Sequence, residues 1–204
     1  KGEKLVVLSN GVGPGEAATD AIAPDDADIP TLTPEAQHSL KALSPLVVIS
    51  NNLVSIGRDA NADRYREALN TLLKHPHIDA LLIMHTPTSV APGDKISDIL
   101  IDCSRNSSRN ILACWVGQER NSHIHQKLSA AGIPLLATPD QAARAFMHLV
   151  HFNLNQEMLL QTPSVAPVDQ ADAIALARTN LQTRLTEHLS SLPKPCQTAH
   201  QTLL

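Results

Sequence analysis

Residues Leu5 to Gly15, LVVLSNGVGPG, constrain the fold of this chain more than any other stretch. A short apolar run ends in Ser9-Asn10, glycines follow at positions 11, 13 and 15, and Glu16 to Ile22 favours helix. That order predicts a buried strand entering a helix N-terminus through a loop with few side chains. Such a loop lets main-chain N–H groups approach a ligand, and the positive end of the helix dipole favours an anion such as phosphate. Asn10, Gly11, Val12, Gly13, Pro14 and Gly15 are therefore candidate phosphate-binding residues. The spacing is not the dinucleotide fingerprint, because Glu16 stands where the third glycine belongs. No Lys-Ser/Thr follows to make a P-loop. A tight strand-to-helix turn without a ligand accounts for the same residues.

Strand and helix patterns alternate downstream. After a helix over Gly15 to Ile22 and a solvated Asp-rich loop comes a short extended piece at Pro30 to Leu32. Thr33-Pro34-Glu35 then opens a helix running to about Leu43, with an N-cap and proline at the first helical position. LVVIS (46–50) reads as a strand, and Asn51 to Gly57 as irregular. In the next helix, capped by Asp59 or Asn61, residues Tyr65, Ala68, Leu69, Leu72 and Leu73 form one apolar stripe. DALLIMHTP (79–87) is the apolar strand expected inside a parallel sheet covered on both faces. A helix over Asp94 to Cys103, a strand at 110–117, a helix from Glu119 to Ala131 ended by Gly132, and a strand at 133–138 follow. The cap Thr138-Pro139-Asp140 begins a helix reaching about Gln161.

Strands separated by single helices indicate βαβ units, a parallel sheet, and ligands at the carboxyl ends of the strands. Those ends are read as Asn10-Gly11, Ser50-Asn51-Asn52, His85-Thr86-Pro87 and Gly117. Asn51, Asn52, His85 and Thr86 thereby join the candidate ligand-binding residues. His85 could act as a general base or phosphoacceptor, or simply bond a loop carbonyl.

The remaining constellations are weaker. His148 and His151 lie at i, i+3 on one helix but lack a matching third metal ligand, and His123 and His125 face different ways. Ser9, Ser50 and Ser55 sit near the sheet edge without a nucleophile elbow. Asp59 and Asp63 suit helix caps better than a catalytic carboxylate pair. Cys114 reads as a small buried filler, and Trp115 points the opposite way, into a helix layer or toward a partner domain.

With 204 residues the chain can bury one core plus an appendage, and 43% apolar with 2% aromatic content makes that core Leu, Ile, Val and Ala. A net charge of −4 without a basic cluster excludes a nucleic-acid partner. Cys103, Cys114 and Cys196 are widely spaced with no C-x-x-C, which predicts a reducing cytoplasm. There is no signal peptide and no apolar run of membrane-spanning length, so no membrane partner is expected. The chain opens on Lys1, and both ends read as cut from something longer. Beyond Pro163, SVAPVDQ is a linker by composition. Ala171 to Leu189 is an amphipathic helix with Ile174, Ala177, Leu181, Leu185 and Leu189 on one stripe. PKPCQTAHQTLL is a further linker and the start of another segment.

Taken in order, the motifs resemble a known family. VVLSNGVGPGEAATDAI resembles the TNxGGPGxxAxDA segment of NDP-forming acyl-CoA synthetases, relatives of succinyl-CoA synthetase. IGRDANADRYREALNTLLKHPHIDALLIMHTPT is similar to the segment that follows it there, and ILACWVGQE with AGIPLLATPDQAARAF to a third. Within the group, FNLNQEMLLQTP resembles most the synthetase-like region of bacterial GNAT-type protein lysine acetyltransferases.

The resemblance implies a flavodoxin-like, three-layer doubly wound parallel sheet over residues 1–162, the succinyl-CoA ligase-like domain. Residues 163–204 would be a helical extension and the truncated start of an ATP-grasp domain. It implies a phosphohistidine on a preceding domain, meeting the N-termini of two opposed helices, one of them opened by Asn10 to Gly15. No catalytic residue, cofactor or metal would then belong to this chain alone. CoA or acetyl-CoA and ATP or ADP would serve the parent. Its partners would be other domains of the same chain (CoA-binding, ATP-grasp, GNAT), and a homo-oligomer is compatible.

The sequence also departs from the family pattern. Asn51-Asn52-Leu53 stands where the family has Asn-Pro-Val/Leu-Asp, so the Asp is replaced by Ser55 or lost, and Gly11-Val12-Gly13 shifts the glycine pair. Both departures favour a degenerate module that senses acyl-CoA or nucleotide within an acetyltransferase. One alternative is a domain of an active ADP-forming acetate–CoA ligase working through a phosphohistidine. Another is a stand-alone flavodoxin-like module for a phosphorylated ligand such as FMN, for which one Trp, one Tyr and two Phe are few.

Overall fold

The computed structural model describes residues 4–22, 30–117, 122–160 and 169–191. The chain divides into two compact units, 1–159 and 160–204. In the first, β1 (Leu5–Ser9) leads into α1 (Val12–Ile22). Then come α2 (Pro34–Ala42), β2 (Val48–Ser50), β3 (Leu53–Ser55), α3 (Ala62–Leu73) and β4 (Ala80–His85). After these follow α4 (Gly93–Arg105), β5 (Asn110–Trp115), α5 (Ser122–Ala130), β6 (Leu135–Leu136) and α6 (Pro139–Leu160). Within the second unit, α7 (Asp169–Ser191) exposes Ile174, Leu176, Leu181 and Leu185.

The six strands lie in the order β2-β3-β1-β4-β5-β6. All neighbours pair parallel except β2 with β3. Counting the parallel strands alone in chain order gives 2-1-3-4-5, the flavodoxin-like doubly wound order that the sequence led us to expect. Its topological switch point falls between β1 and β4.

Alternation along the strands sorts side chains into two cores. Leu5 and Val7 of β1 and Leu82 and Met84 of β4 pack with Ala18 and Ile22 of α1 and Phe146, Met147 and Val150 of α6. Val6, Leu8, Leu81 and Ile83 face the other way, onto Leu40 of α2, Tyr65, Leu69 and Leu72 of α3, Ile96 and Leu100 of α4, and Ile124 and Leu128 of α5. The stripe read from the α3 sequence is fully buried except for Leu73, which is half-buried.

The element bounds differ from the sequence reading in instructive ways. LVVIS supplies β2, but β2 is an antiparallel edge strand, and the inner strand is Leu53–Ser55 from the stretch read as irregular. A left-handed Asn51 (φ 49°), a conformation asparagine tolerates, makes the reversal. Three residues, all buried, are too few to show a period. Pro30 to Leu32 forms no strand although Pro30 and Leu32 are buried. The strand read at 133–138 shrinks to two residues. Helix α1 starts at Val12, so Gly13 and Gly15 lie inside its first turn. The expected start of α5 at Glu119, and PKPCQTAHQTLL, lie outside the described residues.

Candidate functional site

The loop after β1 is held from both sides. Ser9 Oγ accepts the Gly11 N–H at 3.1 Å and donates to the Gly11 carbonyl at 2.6 Å. Buried Asn10 reaches across the switch point: Nδ2 donates to the Thr86 carbonyl at 2.7 Å, and Oδ1 accepts the Thr86 N–H at 2.9 Å. This reciprocal pair ties the ends of β1 and β4 together.

The α1 N-terminus sits on that base. The Gly15 N–H bonds the Gly11 carbonyl at 3.3 Å, and Pro14 has no N–H. Among the described residues, the Val12 and Gly13 amides have no main-chain partner, and both residues are exposed. Gly11 offers no side chain to cap them, so these are the orphan donors of a helix start. The glycines divide the work. A Cβ on Gly15 would strike Leu53 Cδ1 and Ser9 Cβ, so Gly15 lets α1 pack on β1 and β3. A Cβ on Gly13 would meet nothing within 4 Å. Ser55, beside Ser9 in register, alternates onto the α1 face with its Oγ buried and unpartnered.

Across the switch point, His85 ends β4 and Trp115 ends β5, paired in register with ring centroids 5.0 Å apart. Both side chains are buried on the face opposite α1. Tyr65 Oη lies 2.8 Å from His85 Nδ1. Burial holds the His85 imidazole down at about 4, against a smaller opposing pull from the Ala91 main chain, and it pushes the Tyr65 phenol above its ordinary value. A neutral phenol donating to Nδ1 leaves the His85 proton on Nε2. Nε2 and the Trp115 Nε1–H have no hydrogen-bond partner. Neutral His85, with its tautomer fixed by Tyr65, is a hydrogen-bond donor at this position.

The predicted residues separate into two groups. Asn10 to Gly15, His85 and Thr86 gather at the carboxyl rim, with the Thr86 Oγ1 also buried and unpartnered. Asn51 and Asn52 do not. Because β2 runs antiparallel, its carboxyl end lies at the amino rim, and the Asn52 carbonyl accepts the Val7 N–H at 2.8 Å, in the middle of β1. The rim position on that side belongs to Ser55 instead. Asn61 caps α3 through the Arg64 N–H, while Asp59 pairs with the Arg64 guanidinium at 2.7 Å. That guanidinium, through its hydrogen bond and its charge, holds the Asp59 carboxyl below its ordinary value. Burial pushes the Cys114 thiol up to about 11, as suits an inert filler. His123, His125, His148 and His151 are exposed, and the described residues hold no group of three metal-ligating side chains. No described helix is long and apolar enough to cross a membrane.

The sequence reading missed the participation of Trp115 and the uncapped start of α4. Pro92-Gly93 was the available signal, since neither side chain can cap a helix.

No protein-family model matches the chain. It is 28% identical over 153 residues to the acetate–CoA ligase [ADP-forming] I of Archaeoglobus fulgidus, covering 75% of this chain and 22% of that one. It is 25% identical over 149 residues to the 4-hydroxybutyrate–CoA ligase [ADP-forming] of Nitrosopumilus maritimus, covering 73% and 21%. These homologues are ADP-forming acyl-CoA synthetases. An acetyl-coenzyme A synthetase of Candidatus Korarchaeum cryptofilum, solved with phosphate and ADP, superposes with a TM-score of 0.72 at 23% identity. That match covers 81% of this chain and 36% of that one and establishes the likeness of fold. The chain thus spans about a fifth of the length of the curated relatives named here.

Proposed function

We propose that this chain is the flavodoxin-like domain of an ADP-forming acyl-CoA ligase, and that the α1 N-terminus receives the phosphoryl group of a phosphohistidine on a neighbouring domain. The observation that carries this reading is the open first turn of α1 at the switch point, where Val12 and Gly13 are exposed and their amides have no main-chain partner among the described residues. Amides aimed along a helix dipole stabilise a phosphoryl group without a basic side chain and without reorganising during transfer. Asn10 and Ser9 position the turn, Gly15 sets its distance from the sheet, and Ser55 offers a buried hydroxyl beneath it. CoA and nucleotide are then supplied to the parent by other domains, and this chain alone turns nothing over. The relatives named above are archaeal ligases, which supports this reading over the bacterial acetyltransferase host expected from the sequence.

Titration of the 204-residue chain with inorganic phosphate, followed by amide NMR, tests the proposal. The Val12 and Gly13 signals should move saturably with phosphate and not with chloride at equal ionic strength. Gly13→Asp should abolish the response while leaving the helix intact, because a carboxylate suits a helix start but repels the ligand. Unmoved α1 amides at saturating millimolar phosphate would refute it.

A further inference from the structure

The connection between α3 and β4 holds a second buried histidine. The Asp79 N–H bonds the Lys4 carbonyl ahead of β1, which puts this connection at the amino rim, away from the α1 start. His75 is 4% exposed, and both of its ring nitrogens face main-chain donors. The Thr33 N–H points to Nε2 at 3.1 Å, and the His77 N–H points to Nδ1 at 3.3 Å. A neutral imidazole has one bare nitrogen and one N–H, so it accepts one of these bonds and never both. The shorter contact, from Thr33, is the one a neutral ring keeps. A protonated ring has no bare nitrogen and accepts neither. What the contact holds is the entrance to α2. Thr33 caps that helix, its Oγ1 accepting the Ala36 N–H at 3.3 Å and its carbonyl the Gln37 N–H at 2.9 Å. Leu32 before the cap and Ala36 and Leu40 after it are buried, Leu32 and Leu40 in the apolar cluster that includes Leu69 and Leu72 of α3. The His75 N–H is itself bonded to the Leu72 carbonyl at 3.1 Å, so the ring is carried on the end of α3.

We infer that His75 is a proton-operated latch: neutral, it fastens the start of α2 to the end of α3, and protonated, it turns a donor on the Thr33 N–H and frees α2. Neither ring contact is to an acid, so a charged ring gains solvation only by opening the α2 entrance to water. The groups around it keep the ring neutral in the closed state. Burial, then the charges of His77 and Arg109, hold the His75 imidazole below its ordinary value. The His77 ring lies 5.8 Å away between centroids. Arg109, ahead of β5, donates to the His75 carbonyl at 3.4 Å and pairs with Asp79 at 3.6 Å. α2 contributes Glu35 in its first turn and α3 contributes Lys74 at its C-cap, both exposed. Because the folded value is depressed, the contact is intact above the unfolded histidine value of about 6.5 and is lost as pH falls through the folded one. The device is conformational and independent of the phosphoryl proposal, whose residues lie at the other rim.

The test follows amide hydrogen exchange and the ring nitrogen NMR shifts of His75 in the 204-residue chain, from pH about 8 to about 4.5. At the upper end His75 should show one protonated and one bare nitrogen. As the ring takes up its second proton, the protection of the α2 amides should fall about tenfold beyond any change in α6, which packs on the other sheet face. In His85→Gln, which removes a buried histidine at the carboxyl rim, the α2 loss should persist. His75→Gln keeps an oxygen that can accept the Thr33 N–H and does not titrate, so its α2 protection should stay level across the range. A ring that becomes charged while α2 stays protected overturns the latch, and so does an α2 loss of equal size in His75→Gln. If His75→Gln does not fold, the wild-type chain decides alone. Ring protonation and α2 opening must then share one midpoint, and separate midpoints overturn the inference.

Discussion

Helix starts in this domain come in two kinds. Thr33 caps α2, Asn61 caps α3 and Thr138 caps α6, each accepting a first-turn N–H through its side-chain oxygen. Helices α1 and α4 begin at Gly11 and Pro92, which cannot do so. The uncapped pair follows β1 and β4, the two strands that flank the switch point. Among the described residues, the buried side-chain polar atoms lacking partners, those of Ser55, Thr86, His85 and Trp115, lie at or just past the ends of β3, β4 and β5. Capping is worth about 1 kcal/mol, so the two adjacent starts at the switch point forgo stability that the capped helices keep.

The largest test of this contrast is acid. His85 is buried neutral with a depressed pKa, so the unfolded chain binds a proton that the folded chain refuses as pH falls below about 6.5. Stability present above pH 6.5 should drop by about 3 kcal/mol by the time pH reaches 4. Denaturant melts of wild type and His85→Gln should show the slope flattened in the variant. Hydrogen exchange should show α4 amides opening before those of α1, whose supporting groups Ser9, Asn10 and Ser55 do not titrate. Simultaneous opening would erase the difference between the two sides.

Asn10→Ala should cost about 2 kcal/mol, because it leaves the Thr86 main-chain groups without their partner, and it should also weaken phosphate binding. Asn61→Ala should cost about 1 kcal/mol in the same melts with the phosphate response unchanged, since that cap serves stability alone. Gly13→Ala should move the other way, stabilising by roughly 0.5–1 kcal/mol, because the position is helical and the space beside it is open. A loss of stability there would mean that the first turn is not the open socket described.

Much of this could be read from residues alone. The apolar run before Asn10, the stripe from Tyr65 to Leu72 and the continuous strand Ala80–His85 announce themselves because period and burial coincide. What escaped were short or non-local features. β3 has three residues and hides behind an asparagine turn, so the wrong strand end was read at Asn51-Asn52. Gly15 resembles a loop glycine until its clearance from Leu53 is known. The link between Asn10 and Thr86 spans 76 positions, and the pairing of Trp115 with His85 depends on strand order. Neither has a local signal.

The Asn10 amide has a mechanical consequence. With one oxygen and one nitrogen it grips both main-chain polar groups of a single residue, Thr86, just past the end of the neighbouring strand, so the two rim loops cannot shift independently. Strain imposed on one is handed to the other, and the spacing of the two helix starts becomes a fixed property of the scaffold.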